Sequence, residues 1–336
     1  FTLEHGTVGP NSNISWEGEE LLASAAGFTA RWKGSLSGGT GAGDTSIALA
    51  FHWSDITVDR EGLHPISLDG PGLTATAAGP RLDLASDGGE LTVTLDLPDS
   101  KIKDLTVLGR LLPPKAPLTI RPGSPALIRA HLVLQGPSAK GELSIDGGQV
   151  GVGVGDQTLR GGFYAEVKVK EGDLQSGDFD ISGTSVGFRG AAFSGPGGPT
   201  KGDPWSGEAL VSEGSLHTKV PGDLKVKVKL KMTDTRPVVA LFAANYKPVG
   251  WFKGFLDIKD VAGGAGLAME GTTTVIDGVD IQGNGLQMQG RMRLKGGRLD
   301  GAFYAQIHHL SAAVSIENGK RHWKLINARK WYDALH

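Results

Sequence analysis

Nine consecutive residues, Leu224-Lys-Val-Lys-Val-Lys-Leu-Lys-Met232, alternate apolar and basic without a break. Successive side chains of an extended strand point to opposite faces. The run therefore sets five apolar side chains on one face and four lysines on the other. A helix would scatter those lysines around its circumference. The same alternation recurs. Ile47, Leu49, Phe51 and Trp53 share one phase, and so do Leu91, Val93, Leu95 and Leu97, with Thr92, Thr94 and Asp96 between them. It returns over 163–170, 186–188, 286–294 and 303–307.

Turn signals punctuate these strands. Asp87-Gly88-Gly89, Asp146-Gly147-Gly148, Glu171-Gly172-Asp173, Lys295-Gly296-Gly297 and Asn318-Gly319 supply the positive φ that tight hairpins need. The 52 glycines are about twice the usual share of ~7 % and fit many turns. Strands joined by hairpins are antiparallel neighbours, so a meander of roughly twenty-five strands is expected. Convincing helices are few. Residues 100–112, stopped by Pro113-Pro114, and 323–335 are the two candidates. The Pro/Gly stretches at 113–122 and 194–204 read as loops.

One unit of the chain is copied. Leu159-Arg-Gly-Gly-Phe-Tyr-Ala-Glu-Val167 returns as Leu299-Asp-Gly-Ala-Phe-Tyr-Ala-Gln-Ile307, with five identities. Upstream, Gly141-Glu-Leu-Ser-Ile-Asp-Gly-Gly-Gln149 aligns with Gly290-Arg-Met-Arg-Leu-Lys-Gly-Gly-Arg298, and the first copy carries an insertion at 150–158. Such copying marks a repetitive β-architecture in which each unit touches its neighbours and the whole offers one long surface. The units at 141–167 and 290–307 are expected to superpose outside the insertion.

Composition excludes several functions. Charges nearly balance, 34 basic against 36 acidic, which gives no reason to expect nucleic acid. With no Cys there is no disulfide framework, Cys-zinc site or thiol nucleophile. No apolar run approaches the ~18–20 residues that span a bilayer. The longest, at 237–245, is far too short. Gly151-Val-Gly-Val-Gly155 lacks the spacing and following helix of a phosphate loop. His308 and His309 are adjacent on a strand and face opposite ways, so they do not ligate one metal together. Asp173, Asp178, Asp180 and Asp257 have no marked partner and read as solvated faces and turns. The lysine row reads as a solvated outer face that also protects against edge-to-edge aggregation. No catalytic motif is present, and no enzyme, cofactor or metal is expected.

These observations predict an all-β chain with minimal helix: a long antiparallel, repetitive sheet, curled because strands twist and long sheets do not stay flat. Residues 1–84 form the N-terminal part of the sheet, 85–310 the repetitive region and 311–336 a C-terminal cap or interface segment. The basic and aromatic run at 320–332 suits either role, and the cap is preferred.

Two segments carry a family likeness. Gly89-Glu-Leu-Thr-Val-Thr-Leu-Asp-Leu-Pro-Asp-Ser-Lys-Ile-Lys-Asp-Leu105 leads to Leu111-Leu-Pro-Pro114 and Gly141-Glu-Leu-Ser-Ile145, and Asp178-Phe-Asp-Ile-Ser-Gly-Thr-Ser-Val186 follows. This run of strands with short Gly-led turns resembles the AsmA-like and TamB-like bacterial envelope proteins over most of 85–310. The resemblance implies a β-trough lined with lipid, in the periplasm, between bacterial membranes. It also implies a membrane anchor; the chain begins at Phe1, and an anchor outside this sequence is expected. Partners would be phospholipid or other acyl chains, with inner- or outer-membrane proteins at the chain ends. Twenty-five strands at ~4.8 Å would extend on the order of 120 Å. The expected lining is Phe51, Leu91, Val93, Leu95, Phe163, Val167, Val226, Val228, Met292, Leu294, Phe303 and Ile307. The alternative is a structural scaffold of the envelope or an extracellular complex, which packs the same face with its own side chains and carries no lipid.

Overall fold

The computed structural model describes residues 13–25, 28–40, 47–60, 63–79, 91–103, 105–106, 109, 118–154, 157–195, 198–199, 202–219, 222–237, 258–296, 298–318 and 320–335. Within these ranges side chains are described from Leu68 onward, residues 118, 154, 198 and 199 excepted. The proposed boundary at 84/85, the Asp87–Gly89 turn, Leu111–Pro114, the 238–245 part of the longest apolar run and Asp257 lie outside the described residues.

The protein is nearly all β, 76 % strand, and among the described residues one small helix is seen in full. The N-terminal strands are β1 (Asn13–Ala25), β2 (Phe28–Thr40), β3 (Ile47–Arg60), β4 (Leu63–Asp69), β5 (Leu73–Gly79) and β6 (Thr92–Ile102). Next come β7 (Leu118–Arg121), β8 (Ala126–Gln135), β9 (Ser138–Val154), β10 (Gln157–Asp173), β11 (Asp178–Asp180), β12 (Ser185–Gly195), β13 (Gly198–Pro199) and β14 (Trp205–His217). The chain closes with β15 (Asp223–Asp234), β16 (Lys259–Glu270), β17 (Thr273–Gly283), β18 (Leu286–Lys295), β19 (Arg298–Ile307), β20 (Leu310–Glu317), β21 (Lys320–Lys324) and helix α1 (Ala328–Asp333).

Every pairing is antiparallel and joins near neighbours in sequence, from β1–β2 to β20–β21. Four pairs of segments are halves of single interrupted strands. For example, β4 and β5 both pair with β3, and β11 and β12 both pair with β10. The twenty-one segments thus make one sheet of seventeen strands, about 80 Å along the stack. Among the described residues no pairing joins β1 to β21, so the sheet keeps two edges.

The strand count falls below the expected twenty-five because the strands run longer than the assumed spacing; one predicted turn is not a turn, and another ends its strand just before the turn at 174–177. Asp146-Gly147-Gly148 lies within β9 and Glu171-Gly172-Asp173 within β10, each strand 17 residues long. Both glycines sit where the chain has no room for a side chain. A Cβ on Gly172 would meet the Phe179 ring at 2.4 Å, and one on Gly147 would meet Val150 Cγ2 at 2.7 Å. Near both, the ladder slips its register, between Gly161 and Phe163 and between Val169 and Gly172. Neighbouring strands slip alongside, at Val211/Glu213, Gly264/Gly266 and Ile276/Val279. Bulges bend a strand and raise its twist, so aligned bulges give the sheet a line of bending.

Glycine has a second use at close strand approaches. A Cβ on Gly263 would lie 2.2 Å from Asp280 O and 2.7 Å from Ile281 Cα. These are backbone atoms that cannot step aside. Gly263→Ala is expected to destabilise by about 1–3 kcal/mol through overpacking; thermal unfolding of the two proteins is the check.

The duplicated unit is a hairpin in both copies, β9–β10 and β18–β19, but the copies pair differently. Phe163 faces Gly147, whereas its counterpart Phe303 faces Gly290, which aligns with Gly141. The 150–158 insertion lengthens the hairpin tip and slides the partner strand by six residues. Six is even, so the apolar side chains stay on the same face while their partners change.

Loops and helices also differ from expectation. Ser194-Gly195 closes β12, Gly198-Pro199 forms β13, and Leu118–Arg121 forms β7, so both Pro/Gly stretches contribute strand. Ser100–Ile102 belongs to β6 and not to a helix. In the tail only Ala328–Asp333 is helical, and Trp323-Lys324 end β21. The helix buries Ala328 and Tyr332 against Ala302, Tyr304 and Ala313, which caps the last strands. Among the described residues no helix is long and apolar enough to cross a membrane.

Candidate functional site: an apolar sheet face

Residues paired across antiparallel strands share a face, so the register alone traces the surface. Val93 pairs with Leu134, Leu134 with Ala139, Ala139 with Gly172 and Gly172 with Phe179. The row continues through Leu216, Leu224, Met269, Thr274, Leu294 and Leu299. Thr274 is its one polar member. A second row runs Gly214, Val226, Leu267, Ile276, Met292, Gly301 and Ile316.

The other expected lining residues join the same face. Leu95 pairs with Leu132, Val167 with Leu143, Val228 with Ala265, Phe303 with Gly290 and Ile307 with Leu286. Leu91 stands just before β6, in phase with Val93. Phe51 pairs through its backbone with Ala75, and its side chain lies outside the described residues. On the reverse face Lys225, Lys227, Lys229 and Lys231 are all exposed, while Val226 is buried.

The face is unevenly filled. Phe163 and Phe188 pack against a cluster of Ile102, Leu105, Ala126 and Val150, their rings 5.4 Å apart. Two more clusters lie along the same margin. Leu159, Ala191, Phe193 and Trp205 form one, and Ile258, Val261, Ile281 and Leu286 the other; Met232 touches both. Away from this margin most side chains are half-buried or open, Ala139 and Val226 excepted. Val167 is 40 %, Met269 42 % and Leu294 38 % exposed. The whole chain has 20085 Å² of accessible surface, against about 13,000 Å² for a compact monomer of its mass.

A groove of about 1660 Å³ follows the line of bulges from Pro137 to Gly278. Phe179, Leu216, Val226, Val228 and Leu267 touch it, but most of its bordering side chains, among them Asp178, Asp180, Glu213, His217, Lys225 and Lys227, share the reverse, lysine-bearing face. Three ion pairs lie among them. Lys227 Nζ lies 2.7 Å from Glu213, Lys225 Nζ 3.4 Å from Asp223, and His217 Nδ1 2.7 Å from Asp178. The Ser176 hydroxyl, and then His217, hold the Asp178 carboxyl below its usual range. Ser182 does the same for Asp180. Among the described residues no three His, Asp or Glu side chains gather as a metal site would require. His308 and His309 lie in a turn after β19, and His308 has φ 49°.

No family model, no curated protein and no solved structure matches the chain.

The Trp205 cluster and the buried Asp234 beside it were not legible from local sequence. Trp205 follows a Pro/Gly stretch, and its ring folds back over Gly207, where a Cβ would meet it at 2.4 Å. The lining residues Leu216 and Leu267 carried a signal that was available, since each alternates with polar or small neighbours; Val133 between Leu132 and Leu134 blurs theirs.

Proposed function

We propose that the chain is a non-enzymatic protein of the bacterial cell envelope that holds lipid acyl chains along its apolar sheet face. The observation that carries this reading is the apolar row running unbroken in register from β6 to β19. Apolar surface left in water costs about 25 cal/mol per Å². A face this long, with Val167, Met269 and Leu294 partly open, gains from an apolar occupant. Acyl chains suit a narrow face of aliphatic side chains. The charged groups nearby belong mostly to the reverse face and do not converge on the apolar one, which favours little head-group selectivity. The resemblance to AsmA-like and TamB-like proteins supports the same reading, with a periplasmic location and transfer between membranes.

A scaffold reading is favoured along one margin. There the face is filled by the protein's own side chains: Ile102, Leu105 and Val150 around Phe163, the Trp205 cluster, and the Val261 cluster against Ile307. Lipid would then occupy the open part of the face.

The test is ultraviolet crosslinking of the protein from native membranes, with a photoreactive amino acid at single positions. Lipid adducts are expected at Val167, Val228 and Phe303, few at Phe163, and none at Lys227 or Lys229. A face that captures no lipid at Val167, Val228 and Phe303 would transfer the case to the scaffold.

A further inference from the structure

The last strand of the sheet is unlike the others. All five residues of β21 are exposed, and among the described residues the strand pairs on one side only, with β20. Its register carries the apolar face to the very edge, since Phe303 pairs with Val314 and Val314 with Trp323. Trp323 is nevertheless 57 % exposed, and the next two residues, Leu325 and Ile326, are 63 % and 78 % exposed.

This apolar group is held in place and does not fray. Before it, β21 is hydrogen-bonded into the sheet. After it, Asn327 takes φ 54° and turns the chain directly into α1. The helix is pinned by Ala328 and Tyr332 in their cluster, and Arg329 Nη1 donates to Gln289 Oε1 at 2.8 Å. Leu325 and Ile326 are therefore the apex between two anchored elements.

The surroundings are basic. From Glu317 to the end of the chain there are five Lys or Arg and two acids, although the whole chain carries a net charge of −2. One of the acids, Asp333, is spent on Arg329 at 3.0 Å. Lysines on an edge strand guard against edge-to-edge pairing, and that accounts for Lys320 and Lys324. It does not account for Trp323, Leu325 and Ile326, which would invite the association the lysines prevent. Exposed aromatic and aliphatic side chains on one face of an edge strand and just past its end, with Lys320 and Lys324 on its other face, match a different surface when the edge is presented end-on: the interface of an anionic bilayer, apolar below and phosphate-lined above.

We propose that this end of the sheet docks on an anionic membrane. Leu325 and Ile326 enter the head-group boundary, Trp323 lies at its level, and Lys320, Lys324 and Lys330 meet the lipid phosphates. The proposal adds a membrane contact to the acyl-chain reading, on which it rests for the sense of that contact, but the two fail separately.

The full chain is floated with vesicles of phosphatidylcholine alone and of phosphatidylcholine with phosphatidylglycerol in equal parts, at low and high sodium chloride. Binding is expected to the anionic vesicles, weakened by salt. It should fall about tenfold or more in the W323S/L325S/I326S variant and in K320Q/K324Q/K330Q. All six side chains are exposed, so circular dichroism should not change. Three results would each overturn the proposal: no vesicle binding, equal binding to both compositions, or full binding by the serine variant. Crosslinking from Val228 in the serine variant separates the two ideas. Lipid adducts there with docking lost support both. Docking by the parent chain that is lost in the serine variant, with no adduct at Val228 in either protein, supports the membrane contact and removes the acyl-chain reading.

Discussion

Arg236→Ala should lower the stability of the sheet by about 3–5 kcal/mol, the range for stranding one partner of a buried ion pair. Asp234 ends β15 and is fully buried. Its Oδ1 accepts from the Arg236 backbone N–H at 3.0 Å and from Arg236 Nε at 2.8 Å. Oδ2 lies 2.8 Å from Arg236 Nη2 and 3.6 Å from Lys259 Nζ. Yet no hydrogen bond is aimed at Oδ2, so its stabilisation is mainly charge proximity. Arg236 also donates to Asp203 O at 2.7 Å and lies over the Phe193 ring, its Cζ 5.0 Å from the centroid. Removing it leaves a buried carboxylate with one distant lysine and opens the Trp205 cluster. Urea unfolding followed by tryptophan fluorescence is a suitable readout, because Trp205 Nε1 donates to Asp234 O at 3.0 Å. The double variant D234A/R236A should lose less than the sum of the single losses, since no orphaned charge remains. A loss below about 1 kcal/mol for R236A would mean that water reaches the carboxylate and that the site behaves as a surface pair.

The second large effect concerns cargo. Val228→Asp puts a carboxylate in the middle of the apolar face, between Val211 and Ala265. Lipid capture from crosslinkers at Val167 and Phe303 should fall roughly tenfold, because an unpaired charge beside acyl chains is costly to desolvate. Stability should fall too, by about 1–3 kcal/mol on protein scales, so capture must be compared at temperatures where both proteins are folded. The control is Lys227→Asp, one residue away on the other face. It breaks an exposed pair with Glu213, which is worth at most about 1 kcal/mol, and it should leave lipid capture unchanged. Equal loss in both variants would show that capture does not depend on the apolar face.

What the sequence revealed was mostly a matter of period. Leu224–Met232 displayed its two faces before any fold was known, and the exposed lysines and the buried Val226 have that phase. Phase also gathered the expected lining residues, because antiparallel pairing keeps alternate residues on one face when strands slide by an even number of residues. Sliding itself was hidden. Gly147 and Gly172 looked like turn formers, and only their neighbours, Val150 and the Phe179 ring, explain why glycine is needed within β9 and near the end of β10. The duplicated hairpin shows the same limit: similar residues, Phe163 and Phe303, take different partners because a distant insertion reset the register. The Asp234 site was illegible for another reason. Arg236 and Lys259 approach the Asp234 carboxylate while Asp203 accepts from Arg236, so three separate stretches of chain meet there and none sits in a local pattern.

The unbroken neighbour-to-neighbour pairing from β1 to β21 also bears on how the chain reaches its folded state. Sheet proteins commonly fold slowly because their strands must find partners far away in sequence. Here each strand's partner is the next one to be made, so most loop-closure costs are those of hairpins, with longer connections after β5, β6 and β15. Folding can then advance from one end as a growing front, with every completed strand templating its successor. A chain emerging end-first, from a ribosome or through a translocation pore, would fold at the rate it appears.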